Sequence, residues 1–483
     1  MAPQGNKNQL FLGLFIHSTS LGELQYLHNT AICVEKSGKI VAVEQKCDQK
    51  KAEDTIYPKL GWKADDVVVT TTKDGQFFFP GFIDTHIHAP QYPNVGIFGK
   101  STLLDWLNTY TFPMEASLSS LPKARRVYTR CVRRALAHGT TTATYYATIH
   151  VPSTNLLADL CLSMGQRAFI GRVCMDAMGP DYYLDESAAQ SLIATQQTID
   201  HIHKIDPGYT LVSPILTPRF APSCSRKAMT SLGKLHEKTG IPIQTHISEN
   251  VDELKLVKDT FPEFPHYTGV YDAHGLLGTK TILAHAIHLS DEEADLIAKR
   301  GAGVSHCPCS NSALTSGEAR VRWLLDKGIG VGLGTDVSGG YSSSVLEAAR
   351  QAALVSNHLV MPKKGNEYNE TNGNKTIQKA KGTERARLSV EEVLHLATRG
   401  GASIVGLVDR IGGFEVGMEW DAQLIGLGLV DETPEEDDTL DRGNVDIFGW
   451  EKWEERVAKW VFNGDDRNVR KVWVRGRLVH ERI

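Results

Sequence analysis

From about residue 82 to residue 355, short apolar segments alternate with stretches of amphipathic helical spacing. The strand candidates are 82–87, 140–145, 168–173, 209–214, 243–247, 281–285, 303–306 and 330–334, with helical patterns such as 228–237 and 344–354 between them. Strands alternating with helices imply parallel pairing through right-handed crossovers. Eight of them in this length predict an α/β fold, a (β/α)8 TIM-like barrel over residues 81–405.

The flanks read differently. Residues 1–80 hold short strand-like pieces and turns, including the apolar run Leu10 to Ile16, and no helix dominates. Residues 418–430 and 469–483 look the same, so the segments 1–80 and 406–483 are expected to pair into one small composite β-sandwich domain beside the barrel. Near 362–385 the chain is polar and poor in apolar side chains, which predicts a mobile surface insertion. Order resumes at Ser389-Val-Glu-Glu392, a capping box.

Composition narrows the function. A net charge of −5 argues against a nucleic-acid or anionic-membrane surface. The basic run from Lys123 to Arg134 places Val127, Cys131 and Ala135 on one face, as a solvated helix would. The apolar run near residue 10 is too short to span a membrane and lacks the flanks of a signal peptide. The eight cysteines are scattered. A reducing, cytoplasmic location is therefore expected. A chain this long needs no metal to stabilise its core, so any metal is expected to be catalytic.

The sharpest chemical signal is His86-Ile-His88 in Pro80-Gly-Phe-Ile-Asp-Thr-His-Ile-His88. On a strand, positions i and i+2 share a face, so two imidazoles can converge on one ion. His246 and His285 end two other predicted strands, and Asp336 follows Gly334-Thr335. In a closed barrel these ends surround one mouth. The alternative is a set of separate histidines satisfied within the core.

These residues resemble the amidohydrolase superfamily. Several stretches resemble its guanine deaminases more closely: His88-Ala-Pro-Gln-Tyr92, Leu104 to Glu115, Thr217 to Cys224, Gln244 to Glu249 and Ser305 to Asn311. The likeness runs from about residue 75 to 350, and the polar stretch near 362–385 departs from it. It implies the composite terminal domain and one zinc ion per chain, held by His86, His88, His246 and Asp336. Two-metal relatives carry a carboxylated lysine at the end of the fourth strand; this chain has Leu216-Thr-Pro-Arg219-Phe220 there, with no lysine.

The implied reaction is hydrolysis of guanine to xanthine and ammonia. Zinc-activated hydroxide attacks C2, Asp336 and His285 activate the water, and Glu249 protonates N3. Positions i and i+3 of a strand face opposite ways, so Glu249 must lie in the loop beyond His246. Read without the resemblance, Glu249 is a surface carboxylate heading a helix. Substrate contacts fall to His88, Gln91, Arg219, Phe220, His246, Glu249 and Asp336. The guanidinium of Arg219 offers donors to O6, Gln91 both donates and accepts, and Phe220 packs on the ring. The plainer reading is a surface ion pair for Arg219 and a core ring for Phe220. Trp106 and Phe112 cover the mouth or pack in the core; the sequence supports both.

Cys307-Pro-Cys309 is read as packing, because the zinc pattern of cytidine deaminases is absent. Rival readings are another purine, pyrimidine or triazine deaminase, and a non-catalytic barrel scaffold. Guanine and water are the expected partners, with a homodimer as the default assembly.

Overall fold

Parallel strands Phe82–His88, Thr140–Tyr146, Arg167–Gly171 and Val212–Pro214 pair in that order into one sheet. Ile243–Ile247, Thr281–His285, Gly303–His306 and Val331–Leu333 form a second parallel sheet. The computed structural model describes residues 7–361, 383–430 and 443–482. Most of the expected polar insertion, residues 362–382, lies outside them.

Two seams join the sheets. On one side Leu216 bridges Ile243 in parallel. On the other, the Asp336 amide donates to the His86 carbonyl at 2.8 Å and the His88 amide to the Val337 carbonyl at 3.1 Å. Asp84 reinforces this seam, accepting from the amide and hydroxyl of Thr335 at 3.0 and 2.6 Å. Complete burial pushes its pKa to about 6 although Thr335 and the His86 amide donate to it.

Three strand expectations need correction. The segment read as 168–173 breaks after Gly171 and resumes as Val173–Cys174, which pairs with Thr217–Pro218. Arg172 lies at the break, its guanidinium paired with Asp185. The strand read as 209–214 starts at Val212, because Asp206 Oδ2 takes the amides of Leu211 and Val212 into a local turn. The strand read as 330–334 is shorter, Val331–Leu333.

Amphipathic helices lie between the strands. Leu121–Ala137 buries Val127, Cys131 and Ala135 and exposes Arg125, Arg126 and Arg130, so the basic run is a solvated face. Ser389 and Glu392 exchange side-chain-to-amide bonds at 3.2 and 2.8 Å, forming the expected capping box. Among the described residues, no helix is long and apolar enough to cross a membrane.

The terminal segments meet in one eight-stranded sheet. Ala422–Gly426 lies between Gln76–Pro80 and Val469–Val474, antiparallel to both. Its core is aromatic: Phe11 stacks on Trp420 at 4.1 Å, with Phe78 and Trp473 edge-on to Phe11. Burying each such ring contributes about 1.5–3 kcal/mol. The first flank also carries two short helices, Gln49–Thr55 and Tyr57–Leu60, that its turn-rich sequence did not suggest. Arg167, at the start of a parallel strand, reaches Glu419 at 2.5 Å and Asp421 at 3.1 Å and ties the two parts together.

Candidate metal and substrate site

His86 and His88 occupy i and i+2 at the end of the strand Phe82–His88 and are both buried. Their Nε2 atoms lie 3.2 Å apart, and His246 Nε2 lies 3.2 Å from that of His88. Asp336 Oδ1 stands 3.2 Å from His86 Nε2 and 3.4 Å from His88 Nε2. Ligands about 2.0–2.1 Å from a tetrahedral zinc lie roughly 3.3–3.4 Å from one another. His86, His88 and Asp336 form one buried group that could hold a metal ion, and His86, His246 and His285 another, the ligand atoms of each lying within 4.8 Å of one another.

Their protonation agrees. Burial pushes the pKa values of His88 and His246 well down, with neighbouring imidazoles adding to it. Neutral imidazoles keep the lone pair that a metal needs. His246 donates Nδ1–H to the Arg219 carbonyl at 2.6 Å, which leaves Nε2 as the free acceptor. Burial works against ionisation of Asp336, but the imidazoles of His86, His285 and His246 outweigh it and hold the pKa at about 2.

Glu249 lies where the strand period placed it, in the loop between Ile243–Ile247 and Val251–Thr260. It is buried and not a surface group. Burial pushes its carboxyl well above the usual range, and the charges of Asp336 and Glu253 push it further. Glu253 Oε2 accepts the Glu249 amide at 2.7 Å and fixes the loop. His285 Nε2 lies 3.4 Å from Glu249 and 3.8 Å from Asp336, while its Nδ1 meets Asn311 Oδ1 at 2.9 Å. Ser248, His285 and Asp336 all adopt positive φ, 50°, 74° and 45°. Such backbone strain concentrates where side chains are aimed into a site.

One cavity of about 30 Å³ joins His88, His246, Glu249 and Asp336 to Gln91, Arg219 and Phe220, with Leu103, Trp106 and Leu107 as apolar wall. Trp106 thus lines the cavity, whereas Phe112 lies under the Arg219 guanidinium at 5.2 Å. Residues 77–479 match the profile of the amidohydrolase family. The chain is 47% identical over 475 residues to a probable guanine deaminase of Schizosaccharomyces pombe, covering 98% of this chain and 84% of that one. It is 40% identical to guanine deaminase of Homo sapiens, covering 97% and 96%. The chain belongs to the amidohydrolase family, and within it to the guanine deaminases. Its fold is similar to that of guanine deaminase from C. acetobutylicum with bound guanine in the active site. That TM-score is 0.81, with 32% identity over 98% of this chain and 99% of the other.

This amidohydrolase holds further groups that sequence reasoning missed. Glu115, fully buried, accepts from both Arg219 Nη atoms at 2.6 and 3.1 Å, from Gln91 at 2.8 Å and from Tyr183 at 2.8 Å. Glu115 ends the stretch Leu104 to Glu115 that resembles guanine deaminases, but that likeness assigned it no role. Tyr146, at a strand end, packs its ring on His86, His88 and His246 at 4.5–4.9 Å. Cys307 and Cys309 are buried free thiols, as the packing reading expected.

Proposed function

We propose that the chain hydrolyses guanine to xanthine and ammonia in this cavity, using one zinc ion per chain held by His86, His88, His246 and Asp336. The observation that carries the reading is a single cavity whose wall joins Asp336 and Glu249 to Gln91, Arg219 and Phe220. Likeness to guanine deaminases, one of them solved with guanine bound, supports the choice of base.

When bound, the zinc supplies Lewis acidity and makes hydroxide accessible near neutral pH. The attacking water adds its oxygen to C2 of guanine and gives one proton to Asp336. His285, held at Nδ1 by Asn311, orients that water from Nε2. Glu249 is protonated because it is buried beside Asp336, and it gives its proton to N3. The amino group then takes the proton held by Asp336 and leaves as ammonia. The C2 hydroxyl returns a proton to Glu249 as the carbonyl forms, so both carboxyl groups are reset.

At the other edge of the base, Arg219 and Gln91 present donors to O6 and Phe220 covers the ring. His88 and His246, lining the same cavity, bound the side of the base nearest the metal. The two parallel sheets, with their joined seams, support a closed (β/α)8 barrel over residues 81–405. Residues 1–80 and 406–483 then form the second domain through their shared sheet.

The test is to incubate the purified protein with guanine, adenine, cytosine and a triazine and measure ammonia. Guanine alone should release it, one per base consumed. Release from another ring with none from guanine would overturn the reading. Elemental analysis should give close to one zinc per chain.

A further inference from the structure

We propose that Glu115 is a positioning residue that sets recognition of the lactam edge of the base through Gln91 and Arg219. This rests on the guanine reading above and adds a residue that does not itself line the cavity.

Four hydrogen bonds converge on one buried carboxylate. Oε2 accepts from Arg219 Nη1 and Tyr183 Oη, and Oε1 from Arg219 Nη2 and Gln91 Nε2. The bidentate pairing fixes the guanidinium plane, and Phe112 packs against it at 5.2 Å. Gln91 is held at both ends of its amide. Nε2 donates to Glu115, and Oε1 accepts the Ser338 amide at 3.2 Å. A free glutamine amide can present either face to a ligand, but this one can present only one. Its second N–H and its second oxygen lone pair remain for the base, and their positions are set by Glu115 and Ser338.

Charge points the same way. A buried guanidinium without a partner is costly and attracts an anion. Glu115 neutralises Arg219, so the edge that meets O6 is polar and correctly oriented yet carries no net charge. That suits a neutral lactam. The four tied residues come from different segments: the turn Ala89–Asn94, the helix Phe112–Ser117, the stretch after Val173–Cys174 and the stretch after Thr217–Pro218. The helix carrying Glu115 continues from Leu103 and Trp106 in the cavity wall, so the carboxylate also sets the wall against the donors.

The discriminating experiment compares two competitive inhibitors. Hypoxanthine carries the same lactam edge as guanine, whereas purine lacks it. In Glu115→Gln the amide places N–H donors against the donors of Arg219, Tyr183 and Gln91. The inhibition constant of hypoxanthine and the KM for guanine should rise about 10–150-fold, the range for one lost charge-assisted bond. Purine inhibition should stay within about twofold and zinc content should be unchanged, since the metal ligands are untouched. Should Glu115→Gln not fold, Tyr183→Phe removes one donor and keeps the carboxylate. Hypoxanthine binding should then weaken about 2–10-fold, with purine again unaffected. Equal weakening of both inhibitors, or of neither, overturns the proposal. Wild-type protein that releases no ammonia from guanine would defeat the guanine reading instead, so the two failures are distinct.

Discussion

The two halves of the cavity solve opposite problems. In the imidazole cluster, His88 Nε2 lies 3.2 Å from the Nε2 atoms of both His86 and His246, with Asp336 as the neighbouring anion. Around Glu115 the guanidinium of Arg219, the hydroxyl of Tyr183 and one N–H of Gln91 are all paired with a single carboxylate. The first half has the donors that the proposed zinc would need. The second is held in place by protein partners alone. Satisfied buried polar groups such as these mark what holds a ligand's partners in place.

The contrast breaks first at the cluster. His246→Ala removes one of the four proposed donors, and zinc should fall from near one equivalent to near none, with turnover at background. Metal analysis and ammonia release on the same sample check this. A zinc-replete, active His246→Ala protein would mean that the cluster does not hold the ion.

Glu249→Gln tests the boundary between the halves, since Glu249 lines the cavity but is not one of the four donors. Zinc should stay and kcat should fall about 10²–10⁴-fold, the usual contribution of a general acid–base group. Near-normal turnover in a zinc-replete protein would leave the buried carboxyl without a chemical role.

Arg219 belongs to the satisfied half, so its loss should be milder. Arg219→Ala should lower kcat/KM for guanine about 10–150-fold at unchanged zinc occupancy. Arg219→Lys should fall between it and wild type, because one ammonium cannot make both bonds to Glu115. Agreement of all three within a factor of two would show that Arg219 does not touch the base.

The halves also differ in how far the sequence reveals them. The cluster is legible because its logic is local. Two histidines share a strand face, and the rest sit at strand ends that apolar runs locate. The same period put Glu249 beyond its strand. Glu115 is not legible, because its partners lie 24, 68 and 104 residues away and nothing near it fixes its surroundings. The fold divides similarly. Short strand-like segments marked the eight strands of the two four-stranded parallel sheets, while the break at Arg172 depends on a buried pairing with Asp185 that no periodicity encodes.

The smallest expected effect concerns a buried imidazole outside the proposed ligand set. His306 ends a strand beside the cluster, is buried, and has no side-chain hydrogen bond among the described residues. Burial pushes its pKa to about 3, with His285 adding to the shift. The unfolded chain takes up this proton near the ordinary value of 6.5, whereas the folded chain refuses it until about pH 3. The stability it contributes is therefore full above pH 6.5. It falls as pH drops through that window, by about 1.4 kcal/mol per unit for one proton. His306→Asn removes the titration, so the gap between wild type and variant should shift by about 2 kcal/mol against wild type from pH 7 to pH 5. Urea unfolding of both zinc-loaded proteins measures it, and any acid release of zinc, shared by the pair, cancels. A gap that does not move with pH would mean that His306 is protonated in the fold like any exposed histidine.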